Sequence, residues 1–230
     1  WLILKIKSTI NYYAAKEKGF YDEVGLNVEI RQRDLKYNNI DEVINGNAQY
    51  GVADSILILY RLKQQPVVIV SPIFQHSPSV FISLKKSNIS SVYELNNKDI
   101  LFYPNDTDGF SLLAMIKKFD LDVNLVRERY KDDYMRLINN EVDVMPAYIA
   151  NEPFLFKEKG YDVNIINPTN YGFDMYGDML FTNEDEAKNN PIRVEKFKEA
   201  TLKGWKYALE NKEEIIQLIN EKYSKEKSIE

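Results

Sequence analysis

Aromatic rings and hydrogen-bond acceptors follow the predicted strand ends at several places along this 230-residue chain. Tyrosine offers a flat apolar face with a polar tip, and carboxylate and amide oxygens accept hydrogen bonds. Such loops suit a small flat molecule carrying N–H donors, and they suit sulfonate, nitrate or phosphate poorly because they contain few Arg or Lys side chains. We predict a ligand site formed by Asn11, Tyr12, Tyr13, Asp54, Ser55, Gln75, His76, Asp106, Thr107, Asp108, Tyr148, Asn151, Glu152, Tyr171, Asp174, Tyr176 and Asp178.

Glu152 is the acid that local structure explains least. It follows a predicted buried strand, Val142–Met145, and Pro153 restricts it to extended geometry. Its carboxylate is therefore expected at the carboxyl end of a strand, where ligands bind in open α/β sheets. Asp54, Asp106 and Asp108 fit helix N-caps, which is the commoner role for such residues. A local alternative exists for Glu152 too, namely capping a helix that begins near Phe154.

Catalytic and metal-binding patterns are missing from the sequence. His76 is the single histidine and there is no Cys, which excludes histidine clusters, thiolate nucleophiles and cysteine zinc sites. Nucleophile-elbow, GxGxxG and phosphate-loop patterns do not occur. The net charge of −5 and the pI of 5.2 argue against a nucleic-acid partner. We expect a protein that is not an enzyme and that uses neither a metal nor a cofactor.

Strands and helices alternate along the chain and are joined by short loops. This order predicts an α/β fold with mostly parallel sheets and helices on both faces. A helix over Tyr12–Lys18 is predicted to end at Gly19, and a strand over Leu26–Arg31 follows a turn at Gly25. No apolar run approaches the roughly 18 residues of a membrane span.

One pattern occurs twice: the end of a helix, an Asn-rich turn, a short strand and a polar loop, at residues 43–55 and again at 137–154. The repetition predicts two similar lobes. Short extended segments at Val80–Leu84 and Asp178–Phe181 are the candidate crossovers between them. We therefore assign residues 1–83 to lobe 1, 84–179 to lobe 2, and 180–230 to lobe 1 again, as a helical part that we expect to be truncated.

Motifs spread over the whole chain carry a family resemblance. They are Tyr12–Tyr21, Gly25–Ile30, Gly51–Ser55, Pro66–Val68, Phe74–Pro78, Asn151–Phe154, Tyr171–Asp178 and Leu202–Leu209. Their combination resembles the thiamine-pyrimidine-precursor-binding group (SsuA/THI5-like, NMT1-like) of type II periplasmic binding proteins. The last three are most similar to the version found as the extracytoplasmic sensor domain of bacterial histidine kinases and diguanylate cyclases.

The resemblance implies a two-lobed venus-flytrap fold that closes by hinge motion on a ligand between the lobes. In two places the sequence departs from the family. The family usually has a Gln/Phe-rich stretch and a Gly before the tyrosine pair, whereas residues 5–11 read Lys-Ile-Lys-Ser-Thr-Ile-Asn. The fungal pyrimidine synthases of this group use a cysteine-rich motif, and this chain has no Cys.

These observations predict a non-catalytic, periplasmic or otherwise extracytoplasmic domain that binds a small flat nitrogen-containing ligand. Its expected partner is a membrane-bound kinase or cyclase module in the same chain, for which it would be the sensor input. The first alternative is a free substrate-binding protein that serves the permease of an ABC transporter. An enzyme of pyrimidine biosynthesis is the second alternative, and the absence of Cys disfavours it.

Overall fold

The computed structural model describes residues 2–6, 10–32, 37–102, 109–127 and 133–223. The strands are β1 Leu2–Ile6, β2 Val28–Gln32, β3 Tyr50–Ala53, β4 Val67–Phe74, β5 Ser79–Leu84, β6 Asp99–Leu101, β7 Asn124–Val126, β8 Met145–Tyr148, β9 Val163–Ile166 and β10 Gly177–Asn183. The α-helices are α1 Ile10–Glu17, α2 Phe20–Glu23, α3 Asn39–Ile44, α4 Leu57–Leu62, α5 Phe110–Lys118, α6 Asp133–Ile138, α7 Glu152–Glu158, α8 Glu184–Asn189, α9 Pro191–Glu210 and α10 Lys212–Lys222. Short 3₁₀ helices cover Lys85–Ser87, Val92–Leu95 and Pro168–Tyr171.

The chain divides into two compact units. Unit 1 comprises residues 1–52, 60–71 and 180–230, and unit 2 comprises residues 53–59 and 72–179. The chain passes from unit 1 into the main part of unit 2 within β4, between residues 71 and 72, whereas the predicted boundary lies within β5, between residues 83 and 84. The chain returns to unit 1 within β10, between residues 179 and 180.

Unit 1 is built on a five-stranded sheet in the order β2-β1-β3-β10-β4. The first strand, β1, pairs in parallel with both β2 and β3. Every residue of β3 is buried, as expected for a central strand covered on both faces. Thr182 of β10 donates a 2.6 Å hydrogen bond from its hydroxyl to the carbonyl of Gln49, just before β3.

The core of unit 1 packs aromatic rings against the long helix α9. Phe197 is fully buried, with Tyr50 and Tyr21 stacked against it at centroid distances of 4.0 and 5.2 Å. The hydroxyl of Tyr21 shares a 3.0 Å hydrogen bond with that of Thr201. Further along α9, Gly204 lies so close to α1 that an added Cβ would come within 2.7 Å of the Ala15 Cα.

Unit 2 repeats the strand arrangement of unit 1. The strand β5 pairs antiparallel with β8 and β9, and β6 pairs in parallel with β7. A bridge between Ile100 and Val144 joins β6 to the strand segment that leads into β8. The resulting order is β7-β6-β8-β5-β9, in which β6, β7 and β8 hold the positions that β1, β2 and β3 hold in unit 1. The two similar lobes predicted from the repeated pattern are therefore present, with β3 and β8 as the matching strands.

Two predicted elements of unit 2 need correction. The segment Val80–Leu84 was expected to cross between lobes, but β5 is fully buried between β8 and β9. The strand predicted at Val142–Met145 instead runs over Met145–Tyr148, because Pro146 and Ala147 pair with Phe81 and Val80. Tyr148 thus ends a strand rather than lying in the following loop.

Local turn signals were predicted correctly. Gly19 and Gly25 have φ values of 74° and 76°, in the left-handed region where glycine replaces other residues at least cost. Ser91 and Glu94 have the residue types and spacing of a capping box and form one, in which the Glu94 carboxylate accepts a 2.9 Å hydrogen bond from the Ser91 N–H. Within the described part of the chain, no helix combines the length and apolar character required to cross a bilayer.

Candidate functional site

Most of the predicted site residues that the structure describes lie together in unit 2. We call them the strand-end cluster, and they are Asp54, Ser55, Gln75, His76, Tyr148, Asn151, Glu152, Asp174, Tyr176 and Asp178. Three chain segments of the cluster are joined through their backbones. The Ser77 N–H donates to the Met175 carbonyl at 2.7 Å, and the Ile149 N–H donates to the Pro78 carbonyl at 2.9 Å. These bonds hold loops from widely separated parts of the sequence in one place.

The close approach of two of these loops depends on Gly177. A Cβ at this position would lie 2.8 Å from the Pro78 Cδ and 3.0 Å from the Ser77 Cα. Beside it, the Ser55 hydroxyl donates a 2.7 Å hydrogen bond to the Tyr176 carbonyl. The segment after β3 is thereby attached to the segment that leads into β10.

Asp54 is buried, with 3% of its surface exposed. One carboxylate oxygen accepts a 2.8 Å hydrogen bond from the Ile56 N–H, which is the local capping role that the sequence indicated. The other oxygen accepts from the N–H groups of Gly109 and Phe110, at 2.6 and 2.9 Å. Asp54 is therefore committed to backbone donors at the start of α5 and is not an open acceptor for a ligand.

Glu152 begins α7 and holds the turn that precedes it. Its carboxylate accepts a 2.6 Å hydrogen bond from the Tyr148 N–H and a 2.9 Å hydrogen bond from the Asn151 side-chain amide. The carboxylate is only half-buried. Each oxygen receives one of these bonds and can accept another, because a carboxylate offers about four lone-pair positions. The local role considered for Glu152 is thus present, and room remains for a second role.

Tyr148 and Asp178 form a second link across the cluster. The Tyr148 hydroxyl donates to Asp178 Oδ1 at 3.2 Å. Asp178 has a φ of 39°, which is uncommon for a residue with a side chain and costs conformational energy unless the surroundings enforce it. Such residues occur preferentially at binding sites, so this backbone conformation supports a functional role for the start of β10.

His76 and Asp174 pair at the surface of the cluster. Their Nδ1 and Oδ1 atoms are 2.8 Å apart, and the two side chains are 74% and 47% exposed. Both groups can exchange this contact for water or for a ligand at little cost. Gln75 is also exposed.

Exposed apolar side chains border these polar groups. Tyr176, a predicted residue, is 51% exposed, whereas Ile149 and Phe154, which were not predicted, are 40% and 63% exposed. Phe154 could have been found from the sequence, because it is the last residue of the Asn-Glu-Pro-Phe motif. The acidic side chains of the cluster are those of Asp54, Glu152, Asp174 and Asp178, and its one basic side chain is the imidazole of His76.

Two further predicted residues lie in the hydrophobic core of unit 1. Tyr12 and Tyr13 belong to the core of unit 1, where Tyr12 packs edge-on against Trp205 and Tyr13 packs against Tyr223 at 4.1 Å. Burial raises the pKa of the Tyr13 hydroxyl. Their neighbour Asn11 is half-buried in the same helix. We expected these two rings to contact a ligand, but residues of α9 and α10 and Tyr223 cover them.

Tyr171 is also part of a core. Its ring packs edge-on against Phe119 at 5.8 Å, and its hydroxyl accepts a 3.2 Å hydrogen bond from the Val92 N–H.

Asp106, Thr107 and Asp108 lie outside the described residues. In the described ranges, no group of three or more His, Asp or Glu side chains could hold a metal ion.

A separate polar pocket of about 280 Å³ lies in unit 1, beside residues 46–49 and the helices α8 and α9. Its buried carboxylate, Glu186, accepts hydrogen bonds from the Tyr50 hydroxyl at 3.0 Å and from Arg193 Nε at 2.7 Å. A second Arg193 nitrogen completes a bidentate ion pair. Burial, followed by the charge of Glu186, raises the pKa of Tyr50. These contacts give the Glu186 carboxylate a structural role, because they connect α8 to β3 and α9.

Comparison with known sequences identifies the family. The chain matches the family model described as NMT1/THI5 like over residues 7–215. It is 26% identical over 219 residues to the riboflavin-binding protein RibY of Chloroflexus aurantiacus, covering 90% of this chain and 60% of that protein. It is 24% identical over 212 residues to the formylaminopyrimidine-binding protein of Halalkalibacterium halodurans, covering 90% and 64%. The chain thus spans less than two-thirds of the length of these relatives.

Comparison with solved structures identifies the fold. The alkanesulfonate-binding protein SsuA from Xanthomonas axonopodis pv. citri, solved with bound MOPS, matches with a TM-score of 0.73 at 14% identity, covering 95% of this chain and 77% of that one. At this identity the similarity establishes the fold alone, which is the two-lobed fold of type II periplasmic binding proteins. By its sequence match over residues 7–215, the chain belongs to the NMT1/THI5-like family.

Proposed function

We propose that this chain is a non-catalytic extracytoplasmic domain that binds a small planar nitrogen heterocycle, similar to the pyrimidine precursor of thiamine. The observation that carries the proposal is that the carboxylates of the strand-end cluster are accompanied by two exposed aromatic rings, Tyr176 within the cluster and Phe154 at its border. The second acceptor positions of Glu152 and the exposed carboxylate of Asp174 would receive ligand N–H groups. Tyr176 and Phe154 would pack against the ring.

The named relatives support this ligand class. Riboflavin and formylaminopyrimidine both contain a planar nitrogen heterocycle, and the two proteins that bind them align with 90% of this chain. MOPS, the molecule bound to the structurally similar SsuA, carries a sulfonate instead. The negative charges of the cluster favour a nitrogen heterocycle over a sulfonate. A sulfonate is an anion, and like charges placed close together repel.

Ligand binding is proposed to close the two units by a hinge motion, as expected for the type II fold. Small-angle X-ray scattering with and without saturating ligand measures this directly. We expect the radius of gyration to decrease on saturation. An unchanged radius would contradict closure while leaving binding itself intact.

Binding is tested first by native mass spectrometry of the purified domain, which detects a co-purified small molecule. A thermal-shift screen then compares an aminopyrimidine, riboflavin, methanesulfonate and nitrate. A ligand present at 100 times its Kd should stabilise the domain by about 2.7 kcal/mol. We expect stabilisation by at least one heterocycle. Stabilisation by methanesulfonate or nitrate alone would overturn the proposed ligand class.

The physiological role is proposed to be the sensor input of a membrane signalling receptor, on the strength of the sequence motifs in 151–154, 171–178 and 202–209. The alternative, a free binding protein of an ABC transporter, is supported by the relatives, which are named as binding proteins. The complete reading frame separates these roles: a kinase or cyclase module indicates a sensor, and a lipid-attachment cysteine indicates transport. Recovery of a chemically altered heterocycle after incubation would instead support the enzyme alternative.

A further inference from the structure

The carboxylate of Asp54 lies at the N-terminus of α5, in the position that a bound anion would take. The N–H groups of Gly109 and Phe110 both donate to one oxygen of Asp54, at 2.6 and 2.9 Å. The helix that follows is nine residues long. Its first N–H groups carry partial positive charge and would otherwise require water or another acceptor. The buried carboxylate of Asp54 supplies this acceptor from within the same unit.

Local capping alone does not account for this arrangement. The Ile56 N–H needs one oxygen of Asp54, at 2.8 Å, whereas the second oxygen contacts a helix start 55 residues further along the chain. The adjacent Ser55 hydroxyl donates to the Tyr176 carbonyl, so the segment that carries Asp54 is attached to the Tyr176 segment of the strand-end cluster. The first turn of α5 also contains the buried hydroxyl of Ser111, which has no hydrogen-bond partner among the described residues.

We infer that Asp54 is a specificity-determining residue, which closes this helix start to anionic head groups and so restricts the site to neutral or cationic ligands. The inference deepens the proposed function and rests on it for the identity of the ligand. A sulfonate or phosphate binds readily to free N–H groups at a helix N-terminus. Here the N–H groups of Gly109 and Phe110 are already used, and an approaching anion meets a carboxylate of the same charge.

The test is a gain of anion binding in Asp54→Ala, with methanesulfonate and inorganic sulfate as the probes. Removal of the carboxylate frees the two N–H groups and removes the repulsion. We expect calorimetry to show that Asp54→Ala binds methanesulfonate at least about tenfold more tightly than the unmodified protein does. A tenfold change corresponds to the lower end of what a charge-assisted hydrogen bond contributes to binding. Asp162→Ala is the matched control, because it removes the same charge from an exposed position in unit 2.

A second variant covers the case in which Asp54→Ala does not fold. Asp54→Asn has nearly the same shape and keeps one oxygen acceptor, but it carries no charge, so anion repulsion should fall while the helix start stays partly capped. Equal responses of the unmodified protein, Asp162→Ala and a folded Asp54 variant to methanesulfonate would overturn the inference. Failure of the unmodified protein to bind any heterocycle would instead overturn the proposed function. The two failures can be told apart, because the methanesulfonate titration does not require heterocycle binding.

Discussion

The carboxylate of Glu152 accepts a 2.6 Å hydrogen bond from the backbone N–H of Tyr148, the last residue of β8. The Asn151 amide donates to the other oxygen at 2.9 Å. The two bonds fix the turn between β8 and α7, and each oxygen keeps a position for a further donor. Glu152 therefore joins a structural role to the proposed binding role, and the two roles can be measured separately.

We predict that Glu152→Gln weakens binding of the heterocycle found in the ligand screen by about ten- to a hundredfold. The amide has one acceptor oxygen, and its NH₂ group must face a protein or ligand donor, so a charge-assisted bond worth about 1.5–3 kcal/mol is lost. Titration calorimetry and melting curves should be measured together. Glu158→Gln, an exposed position at the end of the same helix, is the control. A lower melting temperature with unchanged affinity would show that Glu152 stabilises the turn and does not bind the ligand.

A second prediction concerns the packing of α9 on α1. Gly204→Ala should destabilise the protein by about 1–3 kcal/mol, because the added methyl would overlap the backbone of Ala15, whose Cα would lie only 2.7 Å from the new Cβ. Helix propensity alone predicts a gain of about 1 kcal/mol, so the two effects differ in sign. Chemical denaturation decides between them, with Lys206→Ala as the exposed control on the same helix. A stabilised Gly204→Ala variant would show that the helices separate at little cost.

The third prediction concerns the buried carboxylate of Glu186. Glu186→Ala leaves the Tyr50 hydroxyl and the Arg193 guanidinium without their acceptor. We expect a loss of about 3 kcal/mol in the free energy of unfolding, the low end for a broken buried pair, because the Arg193 side chain is 37% exposed. Asp185→Ala in the same helix is exposed and should have little effect. Equal stability of the two variants in denaturant titrations would contradict a structural role for the pair.

The fourth prediction is a pH dependence at the contact between α1 and α10. Burial raises the pKa of the Glu17 carboxyl, but hydrogen bonds from Lys222 and Tyr223 outweigh it and hold the pKa below its ordinary value of 4.5. A pKa that is lower in the folded than in the unfolded state stabilises the protein above the unfolded value, and this contribution is lost as the pH falls through the folded value. Glu17→Gln should therefore be less stable than the unmodified protein near neutral pH.

The difference between Glu17→Gln and the unmodified protein should shrink steadily as the pH falls below about 4.5. Melting temperatures measured across this range test the expectation. Glu199→Gln provides the control, because Glu199 is exposed on α9 and its loss changes the net charge equally. A difference that is constant with pH would show that the titration of Glu17 is not coupled to folding.

Short-range features of this protein follow from the sequence alone. The turns at Gly19 and Gly25, the capping box at Ser91 and Glu94, and the alternation of strands and helices each depend on residues a few positions apart. Backbone sterics and local hydrogen bonds decide such features, so the pattern of residue types is sufficient. The repeated strand-and-loop pattern also predicted two similar lobes, and separate motifs along the chain carried the resemblance to the family.

Only the tertiary structure decided which partner each site residue has. The sequence indicated a local helix cap for Asp54, but one of its two carboxylate oxygens accepts hydrogen bonds from the start of α5. The rings of Tyr12 and Tyr13 are covered by α9 and α10. The strand β5 pairs between β8 and β9 instead of crossing between lobes. These contacts join segments that lie far apart in the sequence, and their formation depends on which strands become neighbours in the sheet. Local residue types carry no information on that choice, because many distant segments offer equally suitable donors and apolar surfaces.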